Sequence, residues 1–164
     1  MFIQITHPAF ELSRTNPLNS SDYIGVFKSP PRRDVYVHMP MTITHLGTGS
    51  RGNATLLETP TVKVLVDQGF SGTQLAKRLA RLNLEPTDID CLIISHHHGD
   101  HGGGAAVCQN KWEMRVLANE RTALELGLDP KLTTYFSSLD LLRIGEDLAV
   151  LPVPVPHDGS ENVA

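Results

Sequence analysis

The run Cys91-Leu92-Ile93-Ile94 constrains the fold of this chain more than any other feature. It is apolar throughout, it is too short for a buried helix, and Asp90 bounds it on one side. Such a run predicts a strand buried on both faces, so the fold must supply one layer above it and another below. The run stops directly against Ser95-His96-His97-His98-Gly99-Asp100-His101, a segment with four of the 8 His in the chain. A histidine tag is terminal and uniform. This cluster is internal and is interrupted by Gly99 and Asp100. A rigid strand end that presents a loop of ionisable side chains is the expected arrangement.

The rest of the chain supplies elements for such layers. Residues 41–164 show short strand-like runs around Ile43 and Leu46, around Ala54 and Leu56, and over 62–66. The loop 47–53 and the turn at Thr59-Pro60 separate them. Ser71-Gly72-Thr73-Gln74 fits a capping box, and Leu75, Leu79 and Leu82 follow at helical spacing until Asn83 and Pro86. Beyond the His cluster the pattern predicts a helix over 103–110, a strand over 114–117 and a helix over 119–126. Strands over 139–144 and 148–155 complete it. Pro152, Pro154 and Pro156 mark the last of these as an edge strand or extended arm, because proline donates nothing to a ladder. The class is α/β. At 164 residues one domain is expected, over 41–164. Residues 1–40 hold Pro8, Pro17, Pro30, Pro31 and Pro40 and have no period. They read as an irregular N-terminal extension in which His7 and His38 are incidental.

In an extended segment, residues two apart point the same way, so His96 and His98 converge on one point. Asp100 and His101, beyond the turn that Gly99 permits, face a second point nearby. Imidazole suits zinc and similar ions, and a carboxylate adds a hard oxygen. Two such ions about 3.5–4 Å apart are a known hydrolytic device. No Ser elbow and no phosphate-binding P-loop offers a rival nucleophile. Gly47-Thr48-Gly49-Ser50-Arg51-Gly52 matches a dinucleotide pattern, but it lies between two short strands and opens no helix. Cys91 and Cys108 make neither a disulfide framework nor a CxxC pair, and read as buried thiols in a reducing compartment. The net charge of -4 argues against a broad cationic surface for nucleic acid. No apolar run approaches a membrane span of roughly 20 residues. The N-terminus lacks a secretory pattern, so a cytoplasmic location is expected. Arg51, Lys77, Arg78 and Arg81 read as solvated charge, and Trp112 as core. Ser50 and Asn53 serve turn chemistry and are also candidates to line the site.

Together these motifs resemble the metallo-β-lactamase-fold hydrolases. His96-x-His98-x-Asp100-His101 is similar to the HxHxDH signature of that superfamily. Val64-Leu65-Val66-Asp67-Gln68-Gly69 resembles its strand ending in an Asp-x-Gly turn, and His157-Asp158-Gly159 its next ligand motif. The loop 47–53 resembles the GSGSxGN-type loop of the YycJ/WalJ-like branch, which residues 82–90 also fit. That branch includes proteins described as exonucleases. The resemblance runs from Met41 to the C-terminus. It implies an αβ/βα sandwich, of which this chain holds mainly the N-terminal half. It implies that His96, His98 and His157 ligate a first metal, and Asp100 and His101 a second. Asp100 is also the implied catalytic carboxylate. Asp67 orients a ligand, and Ser50 and Asn53 bind substrate.

The implied cofactor is zinc, up to two divalent ions, with manganese as an alternative. The implied reaction is hydrolysis of a phosphodiester, in nucleic acid or a small molecule. Hydrolysis of a thioester or lactone-type ester is the alternative, and a non-catalytic truncated fragment is a third reading. The chain ends just after the third motif, so the bridging Asp and final His of a second half are absent. Neither His45 nor Asp158 replaces them. The expectation is therefore a domain incomplete at its C-terminus that holds about one ion, turns over little and self-associates.

Overall fold

A computed structural model describes residues 4–6, 40–156 and 162–163. The chain enters with a short strand, β1 (Gln4–Thr6). A second segment then lays down β2 (Thr42–Gly47), β3 (Ala54–Glu58) and β4 (Lys63–Val66) as antiparallel neighbours. Helix α1 (Gly72–Ala80) crosses over to β5 (Cys91–Ile93), which pairs parallel with β4. The short turn α2 (Gly99–Gly102) and the helix α3 (Ala105–Trp112) lead to β6 (Val116–Ala118), and α4 (Glu120–Glu125) to β7 (Thr133–Tyr135). Both later strands also join in parallel, so the first sheet reads β2-β3-β4-β5-β6-β7. The chain then forms β8 (Leu142–Ile144) and β9 (Leu148–Leu151), and the second sheet reads β1-β9-β8.

The double burial expected of residues 91–94 is present. Leu92 and Ile94 join one core with Leu56, Leu65, Val116 and the helix residues Leu75 and Leu79. Cys91 and Ile93 join the other, with Leu57, Val64, Val66 and the β9 residues Leu148 and Val150. The six-stranded sheet is therefore a central layer, helices on one face and the small sheet on the other. Each fully buried Leu or Val contributes about 1.5–3 kcal/mol, which makes the two-sided burial of β3, β4 and β5 the main support of the layer. Ser71 caps α1 by accepting from the Gln74 N–H at 3.4 Å, the serine half of the expected box. Asn119 caps α4 by accepting from the Thr122 N–H at 2.7 Å.

Five expectations need correction. The segment after Gly99 is helical at once, so Asp100 and His101 sit in α2 and not in a loop. Strand β7 was not expected: its Thr133, Thr134 and Tyr135 lie at the sheet edge, half-buried or exposed, and so lack an apolar pattern. The strand expected over 139–144 shrinks to β8, because Leu139 turns the chain at a φ of 70°. Of the edge strand or extended arm expected over 148–155, residues 148–151 form a strand that is central, between β1 and β8. It ends at Leu151 because Pro152 has no N–H to continue the ladder. Strand β1 also lies within the extension read as irregular, since a run of 3 residues is too short to show a period. Residues 7–39, with His7 and His38, are outside the described residues. Among the described residues no helix is long and apolar enough to cross a membrane.

Candidate metal centre

The parallel strands β4 to β7 all end at one edge of the central sheet. In open sheets with parallel strands, that edge is where ligands bind. Three loops meet there. Asp67 N–H donates to the Ile93 carbonyl at 2.8 Å and Gln68 N–H to the His101 carbonyl at 2.5 Å. Asn53 N–H donates to the Asp100 carbonyl at 2.7 Å, and Gly69 N–H to the Asn53 carbonyl at 3.0 Å. The approach is so close that a Cβ on Gly69 would lie 2.0 Å from the Asp100 carbonyl oxygen. That contact explains the glycine of the Asp-x-Gly turn.

The His cluster gathers at this edge. The His96 ring centroid is 4.7 Å from that of His98 and 4.2 Å from that of His101. The turn α2 brings His101 close against His96, so the point expected for Asp100 and His101 lies beside that of His96 and His98. His96 is buried, while His98, Asp100 and His101 are half-exposed. Asp100 Oδ2 lies 3.7 Å from His101 Nε2.

Asp67 organises the group. One carboxylate oxygen accepts from the Ser95 N–H at 2.8 Å. The other accepts from the Ser95 hydroxyl at 2.9 Å and meets His101 Nδ1 at 2.7 Å. A carboxylate only accepts, so His101 Nδ1 carries a proton. The Ser95 hydroxyl donates its one O–H to Asp67, so toward His96 Nδ1 at 2.9 Å it acts as the acceptor. Asp67 thus sets the tautomer of His101 directly and that of His96 through Ser95, and each ring keeps its lone pair on Nε2. The hydrogen bond to Asp67 raises the pKa of His101 above its ordinary 6.5; burial opposes this, and the charges of Asp67 and Asp100 add to it. Ser95 was missed at the level of sequence. Its only signal was its place between a buried strand and the first His.

Asn53 also turns inward. Its Nδ2 lies 3.0 Å from the Asp100 carbonyl, 3.2 Å from Asp100 Oδ2 and 3.1 Å from His101 Nε2. Its Oδ1 accepts from the Gly49 N–H at 2.9 Å, which closes the loop. Ser50 is exposed on that loop. His45 is not part of the group; its Nδ1 meets the Thr55 hydroxyl at 3.0 Å on the β2–β3 hairpin. His97 packs edge-on against His98, with ring centroids 5.1 Å apart. His157 lies outside the described residues. Val163 beyond it donates its N–H to the Ser95 carbonyl at 3.2 Å. Cys91 and Cys108 are free and buried, and burial pushes both thiols up to about 12, so neither supplies a thiolate.

The donor set fits a divalent ion in kind: imidazoles with Nε2 lone pairs, a carboxylate beside them, and a buried carboxylate behind. Among the described residues, no three His, Cys, Asp or Glu side chains are gathered tightly enough to hold an ion.

The pattern of the Metallo-beta-lactamase superfamily matches residues 47–163. The chain belongs to this superfamily. It is similar to exodeoxyribonuclease WalJ of Streptococcus pneumoniae serotype 2, strain D39, at 44% identity over 77 residues, which covers 47% of this chain and 29% of that protein. It is similar to exodeoxyribonuclease YycJ of Bacillus anthracis at 31% identity over 127 residues, 75% of this chain and 48% of that one. The superfamily fold is also that of MEM-A1, a subclass B3 metallo-beta-lactamase from a soil metagenome library. The TM-score is 0.61 at 24% identity, over 74% of this chain and 52% of that one. The chain spans less than half the length of the two exodeoxyribonucleases it matches.

Proposed function

We propose that this edge is the metal-dependent hydrolytic centre of a nuclease-type enzyme, acting on phosphodiester bonds of DNA. The observation that carries the reading is the buried carboxylate of Asp67. It fixes His101 at 2.7 Å and, through Ser95, the tautomer of His96. Such orientation is what metal-bound imidazoles need. The two similar exodeoxyribonucleases support the choice of DNA.

His96, His98 and His157 would hold one ion, with Asp100 and His101 as donors toward a second. The Ser95 carbonyl bond of Val163 supports a return of the chain after His157 to this edge. When bound, zinc or manganese supplies Lewis acidity and makes hydroxide available near neutral pH. The protein's own part is positioning. Asp67 and Ser95 keep the Nε2 lone pairs inward, Asn53 locks the loop 47–53 against Asp100, and Asp100 adds a carboxylate that can accept a proton. A cytoplasmic location is part of the same proposal.

The test is to titrate the 164-residue chain with zinc and to follow release of nucleotides from end-labelled single-stranded DNA. Zinc affinity should fall at least tenfold in His98→Ala, and the DNA hydrolysis, though slow, should require added zinc or manganese. Equal zinc affinity in both proteins, or hydrolysis untouched by EDTA, contradicts the reading.

A further inference from the structure

The loop 47–53 has a second side. Its backbone rests on Phe70 and Arg78. A Cβ on Gly52 would lie 2.5 Å from the Phe70 ring, and one on Gly47 2.9 Å from the Arg78 guanidinium. That guanidinium lies over the Phe70 ring at 4.0 Å and donates to the Leu46 carbonyl, so it is held in place. Beside it opens a cavity of about 390 Å³ lined by Thr48, Arg51, Gln74 and Arg78 among others. Among the described residues that line it none is acidic, although the chain carries a net charge of -4. Of the five N–H donors of an arginine, Arg78 commits one to Leu46. The rest, with Arg51, Gln74 and the Thr48 hydroxyl, form a donor-rich pocket without a counter-charge. Arg51, Lys77 and Arg81 are exposed, as expected of solvated charge, and Arg78 is half-buried; of the four, Arg51 and Arg78 line this cavity.

We propose that this pocket binds a backbone phosphate of a single-stranded DNA substrate, away from the scissile bond. The proposal rests on the nuclease reading of the neighbouring edge. The link between the two is covalent and short. Gly52 lines the pocket, and the next residue, Asn53, touches Asp100 and His101. A strand that crosses this loop can place one phosphate on the two guanidiniums and another at the His cluster. Arginine suits the task because its planar fork pairs with phosphate oxygens two at a time.

The test uses the 164-residue chain in EDTA, a fluorescein-labelled oligo-dT and anisotropy over a range of sodium chloride concentrations. Arg51 is exposed and bears no structural bond, so Arg51→Gln is the clean variant. It should weaken binding about 3–10-fold and lower the salt slope by roughly 0.7, the share of one single-strand phosphate. Arg51→Lys should recover part of the affinity. Lys131→Gln, an equal charge change just before β7 at the opposite edge, should move Kd less than about twofold. Inorganic phosphate as competitor should displace the oligonucleotide only at far higher concentration, because it lacks the flanking contacts.

Equal shifts in Arg51→Gln and Lys131→Gln would reduce the effect to net charge and overturn the pocket. So would an absence of oligonucleotide binding by the wild-type chain, or displacement by phosphate at equal concentration. The hydrolytic reading is judged apart, by turnover of a small chromogenic phosphodiester by the zinc-loaded wild-type chain. Turnover without an Arg51 effect rejects the pocket alone. An Arg51 effect without turnover rejects the hydrolytic reading alone.

Discussion

Asp67 adopts a φ of 60°, the left-handed region that few side chains other than Gly, Asn and Asp accept without strain. That backbone turn brings its carboxylate to Ser95 and His101. A residue here must tolerate the conformation and accept hydrogen bonds on both oxygens. Asp67→Asn keeps the first property and loses the second, since an amide nitrogen cannot accept from Ser95 or His101. Zinc affinity should fall about 10–100-fold, the usual cost of losing a partner behind a metal-bound imidazole. Competition titration against a chelator measures it. The thermal midpoint should move little by comparison, which separates a metal effect from a folding one.

At the scale of elements, one side chain ties the two sheets together. Asp147, in the β8–β9 turn, accepts from the Thr59 hydroxyl at 2.8 Å, the Thr61 hydroxyl at 2.6 Å and the Thr61 N–H at 3.3 Å in the β3–β4 turn. Burial pushes its pKa up, but these donors to the ionised form outweigh it and hold the carboxyl below its ordinary 3.8. A depressed folded value means that the stabilisation is present above the unfolded pKa and is lost as pH falls through the folded one. Asp147→Asn should therefore cost about 1 kcal/mol near neutral pH. The gap between variant and wild type should be full near pH ~5 and narrow as the pH drops below the unfolded carboxylate value of about 3.9. Thermal midpoints measured across that range decide it; a gap independent of pH would mean that the carboxylate charge is irrelevant.

The whole molecule is a layered body whose site depends on one layer. The loops that build the site follow β2, β4 and β5, while β1 pairs only with β9 in the other sheet. We propose that residues 1–40 lie outside the functional domain. Deleting them should leave zinc affinity within about twofold. It should also uncover the β9 edge, and an unpaired strand edge is a template for association. Light scattering should then show a larger species for the deletion variant than for the full chain. Loss of zinc binding on deletion would place the segment in the domain.

The HxHxDH side chains were legible because neighbours in sequence at the end of a buried strand are neighbours in space. The same holds for the two-sided burial of β5, which a continuous apolar run demands. The Asp67 contact with His101, 34 residues away, depends instead on the parallel register of β4 and β5, where Val66 faces Ile93. The resemblance named Asp67 as an orienting residue, but only the register shows which atoms meet; a one-residue slip would turn the strand's side chains to the other face. The relay through Ser95, the central place of β9, the edge strand β7 and the Asp147 tie share that character. So does the cavity between Arg51 and Arg78. Each is a pairing between segments far apart in the chain, and local patterns carry no record of which distant partner a strand or side chain will meet.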